Sequence, residues 1–327
     1  MTAADGGSAA GFALDPAHTL LFEATLYDRL WSKADRRRPK RTVGLGPSDM
    51  VSIFIRVCSF ATILLCLLGV WPPLSARAAV GCDANDPASS LRTATGDCLS
   101  FRASSNARPG LPLIVFMHGD GGAFVNDSTW AALGEGADAL AAATAATFVV
   151  LVRPGYSGPG GRSSGSAKPN DDDYTAENAR LVADAITALK LRLKPTRTIV
   201  GGTSGGAAMA ALVIARYPGV ADAAWLVACP CQIQPWRAWR QQSANRNRPW
   251  SASLSPDESL AGVPRGVRIA AVVGDKDQNT LPRFSEAYVA AAKARGIDAS
   301  LTIVPGATHG SAWRSREAAT VLSSLLR

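Results

Sequence analysis

Ser204 stands among four glycines in the run GGTSGGAAMA, residues 201–210, immediately after the apolar Thr198, Ile199 and Val200. A serine becomes a nucleophile when a general base takes its proton, and the base in turn needs a carboxylate to hold its tautomer. The chain has three histidines, at 18, 118 and 309. His18 lies in a polar N-terminal stretch and His118 precedes the serine, which leaves His309, in PGATHGSAW, as the candidate base. Between serine and histidine, GDKDQNT (274–280) offers two acids. Asp277 is preferred, because two further residues of loop let its carboxylate turn back toward His309, while Asp275 is placed to cap the turn.

A bare GxSxG pattern is weak evidence alone. A glycine-rich turn that packs helix on sheet, or one that binds phosphate, has the same appearance. Against a nucleotide site, no lysine follows as in GxxxxGK, and the strand before Ser204 is not the first of the pattern.

The elements around these residues sharpen the expectation. From residue 110, apolar runs of strand length alternate with helical patterns: PLIVFMHG (112–119), TFVVLVR (147–153), RTIVG (197–201), AAWLVA (223–228), VRIAAVVGD (267–275) and ASLTIVPG (299–306). Helices are expected over 130–146, 177–194, 205–217, 284–295 and 311–326, the last with Trp313, Val321 and Leu325 inward. Residues 153–173 are too rich in Gly, Pro and Ser for an element. The fold class is therefore α/β, a doubly wound, mostly parallel sheet. Ser204 falls where a strand turns into a helix within two residues, which strains the central residue and requires glycine two places away on either side, met by Gly202 and Gly206. Asp277 and His309 each follow a strand, so all three gather at the carboxyl edge of the sheet, where open α/β folds bind ligands. The N–H of Gly205, at a helix N-terminus, is placed to stabilise negative charge.

With these motifs the chain resembles the α/β-hydrolases of the serine esterase and peptidase type, over roughly residues 105–327. The order Ser204, Asp277, His309 is that family's order of nucleophile, acid and histidine. MHGDGG (117–122), after an early strand, is similar to its oxyanion loop. The resemblance implies that the backbone N–H of Asp120 joins that of Gly205 in an oxyanion hole, and that His118 packs the loop and is not a base. It implies two-step acyl transfer through an acyl-enzyme, with no metal or organic cofactor.

Residues 232–266 fall between strands, where that family commonly inserts a cap. Trp236 and Trp239 are one helical turn apart, as are Arg237 and Arg240, which gives a short helix an aromatic edge beside a basic one. Arg246, Arg248 and Trp250 continue the theme. Two roles stay open: a lid that stacks on aromatic groups or pairs with a carboxylate, and an amphipathic flap with tryptophans packed inward and arginines in water.

The N-terminal third is organised differently. Residues 1–49 are polar, with a basic cluster at Arg36, Arg37, Arg38, Lys40 and Arg41. Within 50–78, SFATILLCLLGVW has the length of a signal-peptide core and is followed by Pro72, Pro73 and the small-x-small Ala76-Arg77-Ala78. Export is the leading expectation, to the periplasm or beyond; an uncleaved membrane anchor and a lipidated Cys82 are the alternatives. Translation from Met50 instead of Met1 is equally compatible. Segment 79–104 would begin the mature chain, with Cys82 and Cys98 a disulfide pair in an oxidising compartment. Cys229 and Cys231 are left as buried thiols or a strained bridge. Residues 1–78 hold nine basic and six acidic residues, so the formal charge of +8 falls to +5 without them, too small a surplus for nucleic acid binding. Membrane contact is expected only through the N-terminal segment.

The sequence thus points to an exported serine hydrolase, a carboxylesterase for small or medium esters. A secreted peptidase of the same fold is the nearer alternative. A non-catalytic binding protein, which would have no use for the strained serine turn, is the more distant one.

Overall fold

The apolar runs form the parallel part of one eight-stranded sheet. The computed structural model describes residue 82 and residues 86–120, 127–167, 174–243 and 253–327. The N-terminal extension, the apolar segment with its small-x-small pattern, and the part of the cap that carries Arg246, Arg248 and Trp250 lie outside the described residues. In chain order the elements are β1 (Ser90–Arg92), β2 (Cys98–Ala103), β3 (Leu113–Met117), α1 (Asp127–Thr144), β4 (Thr147–Leu151) and a small hairpin of β5 (Ser157–Gly158) and β6 (Gly161–Arg162). There follow α2 (Ala176–Leu193), β7 (Thr198–Thr203), α3 (Gly205–Arg216), β8 (Ala223–Val227), α4 (Ile233–Ser243), α5 (Pro256–Ser259), β9 (Arg268–Gly274), α6 (Pro282–Ala294), β10 (Ala299–Val304) and α7 (Arg316–Leu325).

The large sheet runs β1-β2-β4-β3-β7-β8-β9-β10. β1, β2 and β4 join antiparallel, and every neighbour from β4 to β10 is parallel. Parallel strands covered on both faces read as continuous apolar runs, which is why LIVFM and AAWLV carry no polar alternation. Their side chains still divide by period two. Leu113, Val115 and Met117 enter the cluster built with α2, α3 and α6. Phe116 turns the other way, with ring centroids 5.7 Å from Phe148, 5.4 Å from Trp225 and 5.6 Å from Trp313.

Three expectations change. The single helix over 311–326 is broken: Ala312–Arg314 form a short 3-10 turn, and Ser315 then caps α7, its side chain accepting from Ala318 N at 3.0 Å. The new phase buries Ala318, Leu322 and Leu325 and leaves Val321 only half-buried. The loop from 153 contains the β5–β6 hairpin, too short to leave a periodic signal. β1 and β2 extend the sheet ahead of its expected start, in a segment tied by the Cys82–Cys98 disulfide. Cys229 and Cys231 are also bridged.

Candidate active site

Strand β7 ends in the serine turn. Ser204 holds φ 54°, ψ −124°, a conformation that side-chain-bearing residues seldom adopt, and its N–H donates to Val227 O at 2.9 Å. The flanking glycines are sterically required. A β-carbon on Gly202 would stand 2.4 Å from the carbonyl carbon of Gly206, and one on Gly206 would stand 2.2 Å from Met117 O. Strand β3, helix α3 and the turn therefore meet backbone to backbone. Gly205 opens α3, whose first N–H groups have no carbonyl acceptor within the helix.

Asp277 and His309 come together after β9 and β10. Asp277 is wholly buried, and His309 Nδ1 lies 2.9 Å from its Oδ2. The other oxygen, Oδ1, accepts from the N–H groups of Asn279 and Thr280, each at 2.8 Å. Burial alone would raise this carboxyl. The His309 bond and charge, with the two backbone donors, outweigh burial and hold it below the usual carboxylate range. Asp275 does something else: its Oδ1 accepts from Gly306 N at 2.7 Å and ties the loop after β9 to the loop after β10.

Thr280 was not singled out from the sequence. Its hydroxyl lies 2.8 Å from Asp277 Oδ2, 3.0 Å from Ala228 O and 3.1 Å from His309 Nδ1. One hydroxyl proton serves the two acceptors, and the Thr280 oxygen offers His309 a second acceptor beside Asp277. The loop thus fixes the imidazole with its proton on Nδ1 and Nε2 free for a partner.

The turn after β3 runs beside the serine: a β-carbon on Gly119 would be 3.1 Å from Ser204 Cβ. His118 is buried, with Nδ1 2.8 Å from Gly119 O and Nε2 accepting from Arg153 N at 3.1 Å. Burial, then the Arg153 charge, pushes its pKa down to about 3, so the ring is neutral and committed on both nitrogens. Asp120 ends the described part of this turn. Its carboxylate takes a bond from Arg153 Nη1 at Oδ1 and one from the Tyr174 hydroxyl at Oδ2. Arg153 and Tyr174 were also not singled out. Arg153 stands two residues beyond the end of β4, at the same sheet edge, which is the available signal.

The cap helix α4 docks on the acid loop. Trp236 is 6% exposed and its indole N–H donates to Asn279 O at 2.8 Å. Arg237 is buried beside it, so the basic edge is not wholly solvated. Trp239 is half-buried, its ring 5.9 Å from that of Phe284, with the guanidinium carbons of Arg240 and Arg283 at 5.9 and 6.0 Å. Among the described residues no cluster of three His, Cys, Asp or Glu side chains is arranged to hold a metal.

The sequence profile of the prolyl oligopeptidase family matches residues 148–326. No curated protein matches the sequence. Among solved structures, an esterase of Pyrococcus furiosus, Pf2001, is similar at 14% identity over 72% of this chain and 90% of its own, with a TM-score of 0.54. Dipeptidyl peptidase 4 of Porphyromonas gingivalis is similar at 14% identity over 72% of this chain, with a TM-score of 0.52; this chain spans about a third of it, 34%. At such identity these likenesses establish the α/β-hydrolase fold.

Proposed function

The chain belongs to the prolyl oligopeptidase family of α/β-hydrolases and is a serine hydrolase, and from that premise we propose that it is an exported carboxylesterase acting on small or medium esters through Ser204, His309 and Asp277. The observation that carries the assignment is the Asp277–His309 pair, at 2.9 Å, on the sheet edge where Ser204 is held at positive φ. His309 Nε2 takes the Ser204 proton as Oγ attacks the ester carbonyl. The oxyanion is met by the N–H groups of Gly205 and Asp120, each worth on the order of 3 kcal/mol. Collapse of the tetrahedral intermediate breaks the ester bond, and His309 returns the proton to the leaving alcohol. Water, deprotonated by His309, then frees the acid and restores the serine.

A peptidase is the second possibility, favoured by the family's description and by the dipeptidyl peptidase likeness. Trp239, Arg240 and Arg283 supply an aromatic and basic surface for the substrate, with Trp236 and Arg237 packed as its base. Export by the 50–78 segment is part of the proposal, and the Cys82–Cys98 bridge supports it.

Residues 79–327 are to be exposed to a fluorophosphonate beside Ser204→Ala and His309→Ala, then assayed on p-nitrophenyl esters of rising chain length and on aminoacyl p-nitroanilides. Labelling abolished by Ser204→Ala, with ester turnover well above amide turnover, is expected. Amide turnover in excess makes the enzyme a peptidase, and folded wild type that takes no label refutes the mechanism.

A further inference from the structure

A carboxylate stands where acyl transfer least tolerates one. A β-carbon on Gly205 would lie 2.3 Å from both side-chain oxygens of Asp120. The anion therefore rests against the backbone whose N–H is to receive the negative charge of the tetrahedral intermediate. Unscreened by a partner, a charge a few ångströms from the oxyanion slows the reaction by about 100-fold at an intermediate effective dielectric.

Arg153 faces that anion directly. Its side chain is 2% exposed and bonds Asp120 through Nη1, and its guanidinium carbon lies 5.2 Å from the Tyr156 ring and 5.5 Å from the Tyr174 ring. Tyr174 closes the other side with its hydroxyl on Oδ2. Burying a guanidinium is costly, and holding a loop requires only neutral hydrogen bonds. A buried cation at this place has a further use.

We propose that Arg153 is a positioning residue for acyl transfer: it cancels the charge of Asp120 beside the oxyanion site, so that this carboxylate braces the turn after β3 without opposing the charge that forms over Gly205. The inference rests on the acyl-enzyme mechanism above and adds to it a residue that touches no substrate.

The test compares wild type with Arg153→Met, Arg153→Lys, Asp120→Asn and the Arg153→Met/Asp120→Asn double variant, on the best p-nitrophenyl ester and with thermal melts of each. Arg153→Met is expected to lower kcat and kcat/KM together by about 100-fold, with KM within about twofold, because the effect lies in the transition state. Arg153→Lys keeps the cation and Asp120→Asn removes the anion, and each loses less than about tenfold. The double variant recovers to within about threefold of Asp120→Asn. A tie that only holds the loop predicts equal losses in Arg153→Met and Asp120→Asn and no recovery in the double variant; that pattern, or a rise in KM in place of the fall in kcat, overturns the proposal. Should Arg153→Met fail to fold, the other two single variants decide: losses under about tenfold in both sustain it, and a loss of about 100-fold in Asp120→Asn overturns it. Wild type that takes no fluorophosphonate removes the mechanism and this role together, whereas labelled wild type with the contrary kinetics removes only the role of Arg153.

Discussion

His118 and His309 are the same residue type at the same sheet edge, and their surroundings give them opposite fates. His309 is about a quarter exposed and bound through one nitrogen to a carboxylate. His118 has no exposed surface to speak of, accepts a backbone N–H, and sits beside the Arg153 cation. Its pKa, about 3, lies below the unfolded value near 6.5. The unfolded chain therefore gains a proton that the folded chain refuses as pH falls from about 6.5 toward 3. The stability His118 contributes is full above this window and declines through it by up to about 1.4 kcal/mol per unit. Thermal melts from pH 7 to 4.5 should show a steeper acid loss in wild type than in His118→Gln; parallel slopes would contradict the neutral, committed ring. Asp277 acts in a lower window, because its depressed carboxyl contributes stability above the unfolded value near 4 and loses it only below. The strained turn at Ser204 and the meeting of Asp277 with His309 were legible because glycine spacing and strand ends are local features. Thr280, Arg153 and Tyr174 were not, since each acquires its task from a segment distant in sequence: Tyr174 meets Asp120 across 54 residues and Thr280 meets Ala228 across 52.

At the level of elements, the contact of β3, β7 and α3 decides whether the serine turn exists. The backbone carbonyls of Met117 and His118 occupy the space beside Gly206, at 2.2 and 2.5 Å from a β-carbon there, and main chain cannot move aside as a side-chain tip can. Gly206→Ala is expected to cost about 3 kcal/mol, on the order of 10 °C in Tm for a domain of this size, and to lower kcat more than Gly306→Ala lowers it. A scan by differential calorimetry with ester kinetics checks this; an unchanged Tm would mean that α3 can shift away from β3. The strands of the parallel sheet were readable because burial on both faces leaves unbroken apolar runs. The antiparallel β1 and β2 were not, being three and six residues long and closed by a turn without hydrophobic period. The break at Ser315 also escaped pattern reading: its hydroxyl competes with the helix for a backbone N–H, an outcome that depends on how Trp313 packs.

Across the whole molecule, the segment of the first antiparallel strands is closed on itself by a covalent link and joined to α2 by an ionic one. Arg180 on α2 binds Asp97, just before β2, while Cys98 holds Cys82 over a separation of 16 residues. A loop of that length, when cross-linked, stabilises by about 3 kcal/mol through the unfolded chain. Cys82→Ser/Cys98→Ser in residues 79–327 should lower Tm by on the order of 8 °C with ester kinetics within about twofold of wild type, since β1 lies at the far edge of the sheet from β10. An unaltered Tm would show that the bridge does not form in solution.

Strand β10 is the last of the sheet both in chain order and in space, and His309 follows it. During synthesis, the serine turn leaves the ribosome about a hundred residues ahead of the histidine, an interval on the order of ten seconds. On the proposed mechanism, the nascent chain throughout that time holds its nucleophile without its proton acceptor, so its own chemistry would begin only once translation has passed the histidine.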